Sequence, residues 1–234
     1  MFTAELLSRI QRTPTVESFR FRSERKIDFA PGQFLSVIFD EEDPQNKSLN
    51  KYLSFSSSPT KDYIEVTKRL SGSEFSKKLK ALTIGQRVSF QGPLGSCIFK
   101  PEYAKIGFLI GGIGITPVMS ILEYIADKNL ATDAYLLYSN RNEEEIAFRA
   151  GLDALAKAHD TIEVCYTVTD CVPQDKTCLA GRICKELFLE KVSDARDRIF
   201  FIFGPPKMVE AMKGLCRDAG VADDCIKAEN FIGY

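Results

Sequence analysis

Hydrophobic and polar positions change rhythm once along the chain, near residue 103. Before that point the apolar runs are short. Val16, Ser18, Arg20 and Arg22 fall on one side of an extended segment, and Glu17, Phe19 and Phe21 on the other. That is the period of two expected of a strand with one buried face. Phe34–Phe39 is a denser apolar run behind Pro31-Gly32-Gln33, and Tyr63–Thr67 and Arg87–Phe90 are short and β-rich. Clusters of Pro, Gly, Asn and Ser separate these runs, the pattern of an antiparallel sandwich or barrel. One helix is predicted in this half, over Ser73–Leu82, where Phe75, Leu79 and Leu82 recur at helical spacing.

After residue 103, apolar runs alternate with amphipathic stretches. Strands are predicted at Ile106–Ile110, Ala134–Tyr138, Ile162–Thr167, Ile199–Phe203 and Cys225–Glu229. Helices are predicted at Pro117–Lys128, Glu143–His159, Arg182–Glu190 and Lys207–Ala219. Such alternation implies right-handed βαβ crossovers and a parallel sheet. The expected fold is an antiparallel β-barrel over residues 1–102, followed by a parallel-sheet α/β domain over residues 103–234.

Composition narrows the function classes. A chain of 234 residues holds one large domain or two ordinary ones, and 44% hydrophobic with 27% charged residues is ordinary for a globular protein. A net charge of −1 gives no reason to expect a nucleic-acid partner. The charge is uneven, however: residues 1–103 carry +4 and the remainder −5. An acidic partner would therefore meet the first half, unless the asymmetry is scatter. The seven cysteines contain no C-x-x-C pair and no signal peptide is evident, so reduced thiols in a cytoplasmic protein are expected. No metal site is expected from them or from His159, which is placed at an exposed helix end. Ile106–Ala126 is apolar and long enough to test as a membrane span. Gly111, Gly112, Gly114, Pro117 and Glu123 within it fit a buried strand, a glycine turn and an amphipathic helix better.

Four segments could carry chemistry. Gly111-Gly112-Ile113-Gly114-Ile115-Thr116-Pro117 reads as strand, glycine turn and helix start, with Thr116 as N-cap. Missing Cβ atoms let a ligand approach, and free N–H groups at a helix start suit a phosphate. It is equally a tight turn without a ligand. Lys51-Tyr52-Leu53-Ser54-Phe55-Ser56-Ser57 offers a cation, an apolar residue and hydroxyls on one strand, suited to a molecule anionic at one end and flat at the other; taken alone it is a solvent-facing strand end. Gly72-Ser73, with Ser76 three residues on, is a second glycine before a helix and could bind an anion or simply cap the helix. Gly204-Pro205-Pro206 makes a rigid turn after an apolar strand, at the edge where open α/β sheets bind ligands.

The order and separation of these segments resemble the ferredoxin–NADP reductase superfamily of flavoprotein oxidoreductases, over nearly the whole chain. The resemblance includes Pro31-Gly32-Gln33-Phe34, the run from Gly85 through Val88 and Gly92-Pro93 to Gly95, and the closing Glu229-Asn230-Phe231-Ile232-Gly233-Tyr234. It implies that the barrel holds a flavin, FAD rather than FMN, and that the α/β domain holds NADH or NADPH. No iron–sulfur domain is implied within this chain.

The family's flavin motif R-x-Y-S-x-x-S reads here Lys51-x-Leu53-Ser54-x-x-Ser57. The resemblance places Lys51, Tyr52, Leu53 and Ser54 in the flavin segment, with Ser54 near N5 and Tyr52 pointing to the other side of the strand. Lys51 offers a point charge in place of a planar fork, and Leu53 an aliphatic contact in place of an aromatic one. Thr67, Lys68, Gly72, Ser73 and Ser76 match the flavin-phosphate segment. Gly112, Gly114 and Thr116 match the nicotinamide-nucleotide pyrophosphate site, Ser139 and Arg141 the far end of that nucleotide, and Gly204, Pro205 and Pro206 the border of the nicotinamide. Glu229 is the candidate carboxylate beside the flavin, and Tyr234 a candidate ring stacker or a frayed end. Asp170 would repel a 2′-phosphate whereas Arg141 could clamp one, which tilts the expectation toward NADH.

The implied activity is hydride transfer between NAD(P)H and FAD, with Ser54 and Glu229 as catalytic residues, followed by electron transfer to a separate acidic carrier such as ferredoxin or flavodoxin. A flavin reductase that releases its flavin, and an electron-transfer subunit of a larger complex, are the alternatives.

Overall fold

A computed structural model describes residues 1–231; Tyr234 lies outside the described residues. The chain divides into two compact units. The first is Met1–Phe99 with Thr116–Asp127, and the second is Lys100–Ile115 with the chain from Lys128 onward.

In the first unit, β1 (Phe2–Gln11), β2 (Val16–Ser23), β3 (Phe34–Ile38), β4 (Asn50–Ser54), β5 (Ile64–Arg69) and β6 (Arg87–Leu94) form one antiparallel sheet, ordered β4-β3-β6-β1-β2-β5. A bridge between Phe55 and Val66 joins its two edges. The expected alternation in β2 holds only from Phe19 onward, because Val16, Glu17 and Ser18 are buried on both faces; Phe19 and Phe21 enter a core with Leu6, Leu35, Val37, Val66 and Phe90. Helix α1 (Glu74–Ala81) adds Phe75 and Leu79 to that core. β1 escaped the pattern reading because its register slips between Leu6 and Ser8, which breaks the period of two.

In the second unit, β7 (Lys105–Gly111), β8 (Asp133–Asn140), β9 (Ile162–Val168), β10 (Cys178–Ala180), β11 (Ile199–Gly204) and β12 (Ile226–Asn230) form a parallel sheet, ordered β10-β9-β8-β7-β11-β12. Leu109, Leu137, Cys165, Phe200 and Ile202 on one face pack with Phe188 of α4 (Lys185–Lys191) and with Val209 and Met212 of α5 (Pro206–Asp218). At the base of the sheet, buried Arg198 reaches Asp133 at 2.8 Å, Asp194 at 2.6 Å and the Ile106 carbonyl at 3.0 Å.

Two helix expectations need correction. The predicted helix over Glu143–His159 is a short 3-10 turn at Glu143–Glu145 and then α3 (Arg149–Ala158). Asn142 caps the turn through Glu145 N–H, and Ile146, Ala147 and Phe148 leave the helical path to become buried, with Phe148 at φ 63°. His159 ends α3 half-buried rather than exposed. The helix expected from Pro117 begins at Ile115, as α2 (Ile115–Asp127), so Thr116 lies inside its first turn and is not the N-cap. From Thr116 onward α2 clusters with the barrel unit rather than with the sheet it follows in sequence.

Candidate functional site

In the barrel unit the site begins on β4. Asn50 fixes the start of that strand: its side chain accepts from the amides of Phe39 and Asp40 and donates to the carbonyls of Asp40 and Asp43. Alternation then puts half-buried Lys51 and Leu53 on one face. Tyr52 points the other way, 69% exposed, with its ring edge-on to Phe34. Tyr52 therefore does not share a face with the two residues beside it in the motif. Ser54 ends the strand at 7% exposure.

Beyond Ser54 the chain is held by a buried polar network. Ser56 Oγ donates to Glu65 Oε1 at 3.0 Å and lies 2.7 Å from Thr67 Oγ1, which lies 2.7 Å from Ser18 Oγ. Ser57 Oγ accepts from Glu65 N–H at 3.0 Å. Arg12 and Arg20 pair with the other oxygen of Glu65 at 3.0 and 2.8 Å. The hydroxyl of Thr67, a residue expected in the strand before the flavin-phosphate helix, is thus committed to this network.

Lys68, next on β5, is half-buried. Burial and the charges of Lys51 and Arg69 lower its pKa from the usual lysine value. Three cations crowded together, one of them desolvated, are relieved by an anion. The adjacent chain supplies a matching cradle. Ser73 caps α1, its Oγ accepting from Ser76 N–H at 3.3 Å, and the hydroxyls of Ser71, Ser73 and Ser76 lie 3.1–3.4 Å apart. No atom comes within 4 Å of where a Cβ on Gly72 would stand. A cation cluster, free helix-start amides and an open glycine fit a diphosphate.

In the second unit the candidate residues gather at the C-terminal ends of the parallel strands. Gly112–Gly114 form a 3-10 turn between β7 and α2. Gly112 has φ +53° and open space around it, and its carbonyl accepts from Tyr138 Oη at 3.0 Å. Gly114 serves packing: a Cβ there would lie 2.3 Å from the Phe203 carbonyl oxygen. Gly204 closes β11, Pro205 precedes α5, and Pro206 is its first residue, where a missing N–H costs nothing. Ser139 pairs in register with Gly111 and Thr167, and exposed Arg141 accepts on its carbonyl from Asp170 N–H at 2.8 Å.

Glu229 lies on β12 in register with Phe203. Burial pushes its carboxyl up to about 7, and no cation among the described residues pairs with it. It can hold or release a proton near neutrality. Asn140, not singled out from the sequence, is buried with both side-chain amide atoms lacking a partner among the described residues. A buried amide left unpaired at a sheet's C-terminal edge matches a polar ligand there. Its place between Ser139 and Arg141 was the available signal.

Comparison with known proteins matches two domain families along the chain. Residues 3–99 match the model of the oxidoreductase FAD-binding domain, and residues 108–214 that of the oxidoreductase NAD-binding domain. NADH-cytochrome b5 reductase 1 of Ajellomyces capsulatus is 30% identical over 217 residues, covering 88% of this chain and 70% of that protein. The FAD/NAD-binding domain of nitric oxide dioxygenase from Vibrio cholerae superposes with a TM-score of 0.85 at 19% identity, over 98% of both chains. A ferredoxin–NADP+ reductase from Neisseria gonorrhoeae with bound FAD and NADP gives 0.80 at 22% identity, over 97% of both. With an FAD-binding domain followed by an NAD-binding domain over most of its length, the chain belongs to the family of FAD- and NAD-binding oxidoreductases that includes NADH-cytochrome b5 reductase.

Proposed function

We propose that this chain is an NADH-dependent reductase that passes electrons through FAD to a small acidic haem protein of the cytochrome b5 type. The ferredoxin or flavodoxin expected from sequence gives way to this carrier because the curated relatives it matches are NADH-cytochrome b5 reductases. FAD, when bound, supplies the capacity to take up a hydride and give out single electrons.

The chain's own residues bind, orient and tune. Lys51, Lys68 and the Ser73 helix start hold the flavin diphosphate. Leu53 gives an aliphatic contact to the ring, and Ser54 a hydroxyl at N5. The turn at Gly112–Gly114 and the strand end at Ser139–Arg141 hold the nicotinamide nucleotide, with Gly204-Pro205-Pro206 bordering its nicotinamide. Glu229 keeps a proton available near pH 7. Asp170 favours NADH by repelling a 2′-phosphate.

The observation that supports an acidic carrier is charge. Lys77, Lys78 and Lys80 stand exposed on α1, in the half of the chain that carries +4. Steady-state reduction of cytochrome b5 by NADH tests the reading: the KM for the carrier should rise steeply with ionic strength. A KM independent of salt contradicts it. A flavin reductase is the second reading, supported by Lys51 and Leu53 standing where the family has arginine and an aromatic ring; purification without flavin would favour it.

A further inference from the structure

The chain between Ser54 and Pro59 is held from two sides by carboxylates. Glu65 binds Ser56 and Ser57. From the other side, Glu123 of α2 accepts the Ser58 backbone N–H on Oε2 at 2.9 Å. Ser58 is fully buried, so without Glu123 this amide loses its carboxylate partner where water does not reach it.

A second attachment lies one turn further along α2. Asp127 accepts from the Thr60 hydroxyl and from Lys61 Nζ, the latter at 2.9 Å. Lys61 is therefore committed to Asp127, and Glu123 is left to serve Ser58. Burial raises the Glu123 carboxyl above its usual value; Lys61 opposes that rise, and Glu65 and Asp127 add to it. These contacts join α2 to the barrel unit, although in sequence it follows the glycine turn.

We propose that Glu123 is a positioning residue for the flavin segment. By fixing the Ser58 amide it holds the backbone of Ser54–Ser57 in the conformation that meets the flavin ring. This rests on the FAD reading above. The family motif ends at the serine equivalent to Ser57, so the residue that anchors its far side is supplied from a distant helix.

Three variants test it. Glu123→Ala removes the acceptor, Glu123→Gln keeps an oxygen for the Ser58 amide, and Lys61→Ala loosens the neighbouring attachment only. Glu123→Met, which fills the space without an acceptor, replaces the alanine variant should that not fold. Amide hydrogen exchange of residues 54–62 in flavin-free protein is read beside FAD affinity and the shape of the flavin absorption bands. Glu123→Ala should speed exchange at Ser58 and weaken FAD binding about tenfold, the effect of one charge-assisted hydrogen bond. Glu123→Gln should restore most of both, and Lys61→Ala should leave Ser58 exchange as it was. Wild-type exchange and FAD affinity in Glu123→Ala would overturn the proposal, as would a glutamine variant as impaired as the alanine. Wild-type protein that takes up no FAD would overturn the flavin reading instead, while the exchange data still decide whether Glu123 anchors Ser58.

Discussion

Ser56 donates its hydroxyl to Glu65 at 3.0 Å inside the barrel unit, where Glu65 is only 2% exposed and also meets two guanidiniums. A carboxylate this buried needs every one of those partners. It links the serine-rich segment after β4 to β5, the strand that leads into the Ser71–Ser76 hydroxyl cluster at the start of α1.

Glu65→Ala should therefore destabilise the protein by about 3 kcal/mol, the lower end for breaking a buried pair because Arg12 and Arg20 keep some solvent. Urea unfolding monitored by circular dichroism measures it. A loss below about 1 kcal/mol, the value of an exposed pair, contradicts the account.

The two glycines of the turn between β7 and α2 should separate by mechanism. Gly112→Ala meets open space and carries only the strain of φ +53°, about 1–2 kcal/mol. Gly114→Ala drives a Cβ into the Phe203 carbonyl at 2.3 Å. It should cost about 3 kcal/mol by overpacking and raise the KM for NADH as the turn shifts. Melting curves with NADH titrations check both; equal effects at the two positions would refute the distinction.

Glu229 sets a pH dependence. Its folded-state value of about 7 lies above the unfolded value of about 4.3, so the folded protein binds the extra proton. The stability it contributes is fully present below about 4.3 and is lost as pH rises through 7. Melting temperature against pH should fall across that window in the wild type and flatten in Glu229→Gln. Parallel curves would show that this carboxyl is not the group responsible.

Asp170 and Arg141 meet at the ends of β9 and β8 through a 2.8 Å backbone hydrogen bond. Replacing Asp170 by serine should leave Arg141 unopposed and move the NADH-to-NADPH ratio of kcat/KM about tenfold toward NADPH, the effect of one nearby charge. An unchanged ratio removes Asp170 from cofactor choice.

Much of this was legible in the residues. The alternation in β2 and the apolar runs of β7 and β11 announced two kinds of sheet, and the glycines before α1 and α2 announced where the chain turns from strand to helix. What escaped depended on distant contacts. The match of Thr67 to the segment before α1 does not reveal that Ser18 and Ser56 hold its hydroxyl. The helix expected through Ile146 breaks because burial of Ile146–Phe148 outweighs helical spacing. Nothing local in α2 reveals that Glu123 serves Ser58, 65 residues earlier.

The most direct test of the whole account is the visible absorption spectrum of the purified protein, followed anaerobically as NADH is added. The account predicts a yellow protein whose flavin bands bleach with one equivalent of NADH and return when oxidised cytochrome b5 is added. A protein that carries flavin but does not bleach, or that bleaches and cannot pass its electrons to the haem carrier, would contradict it.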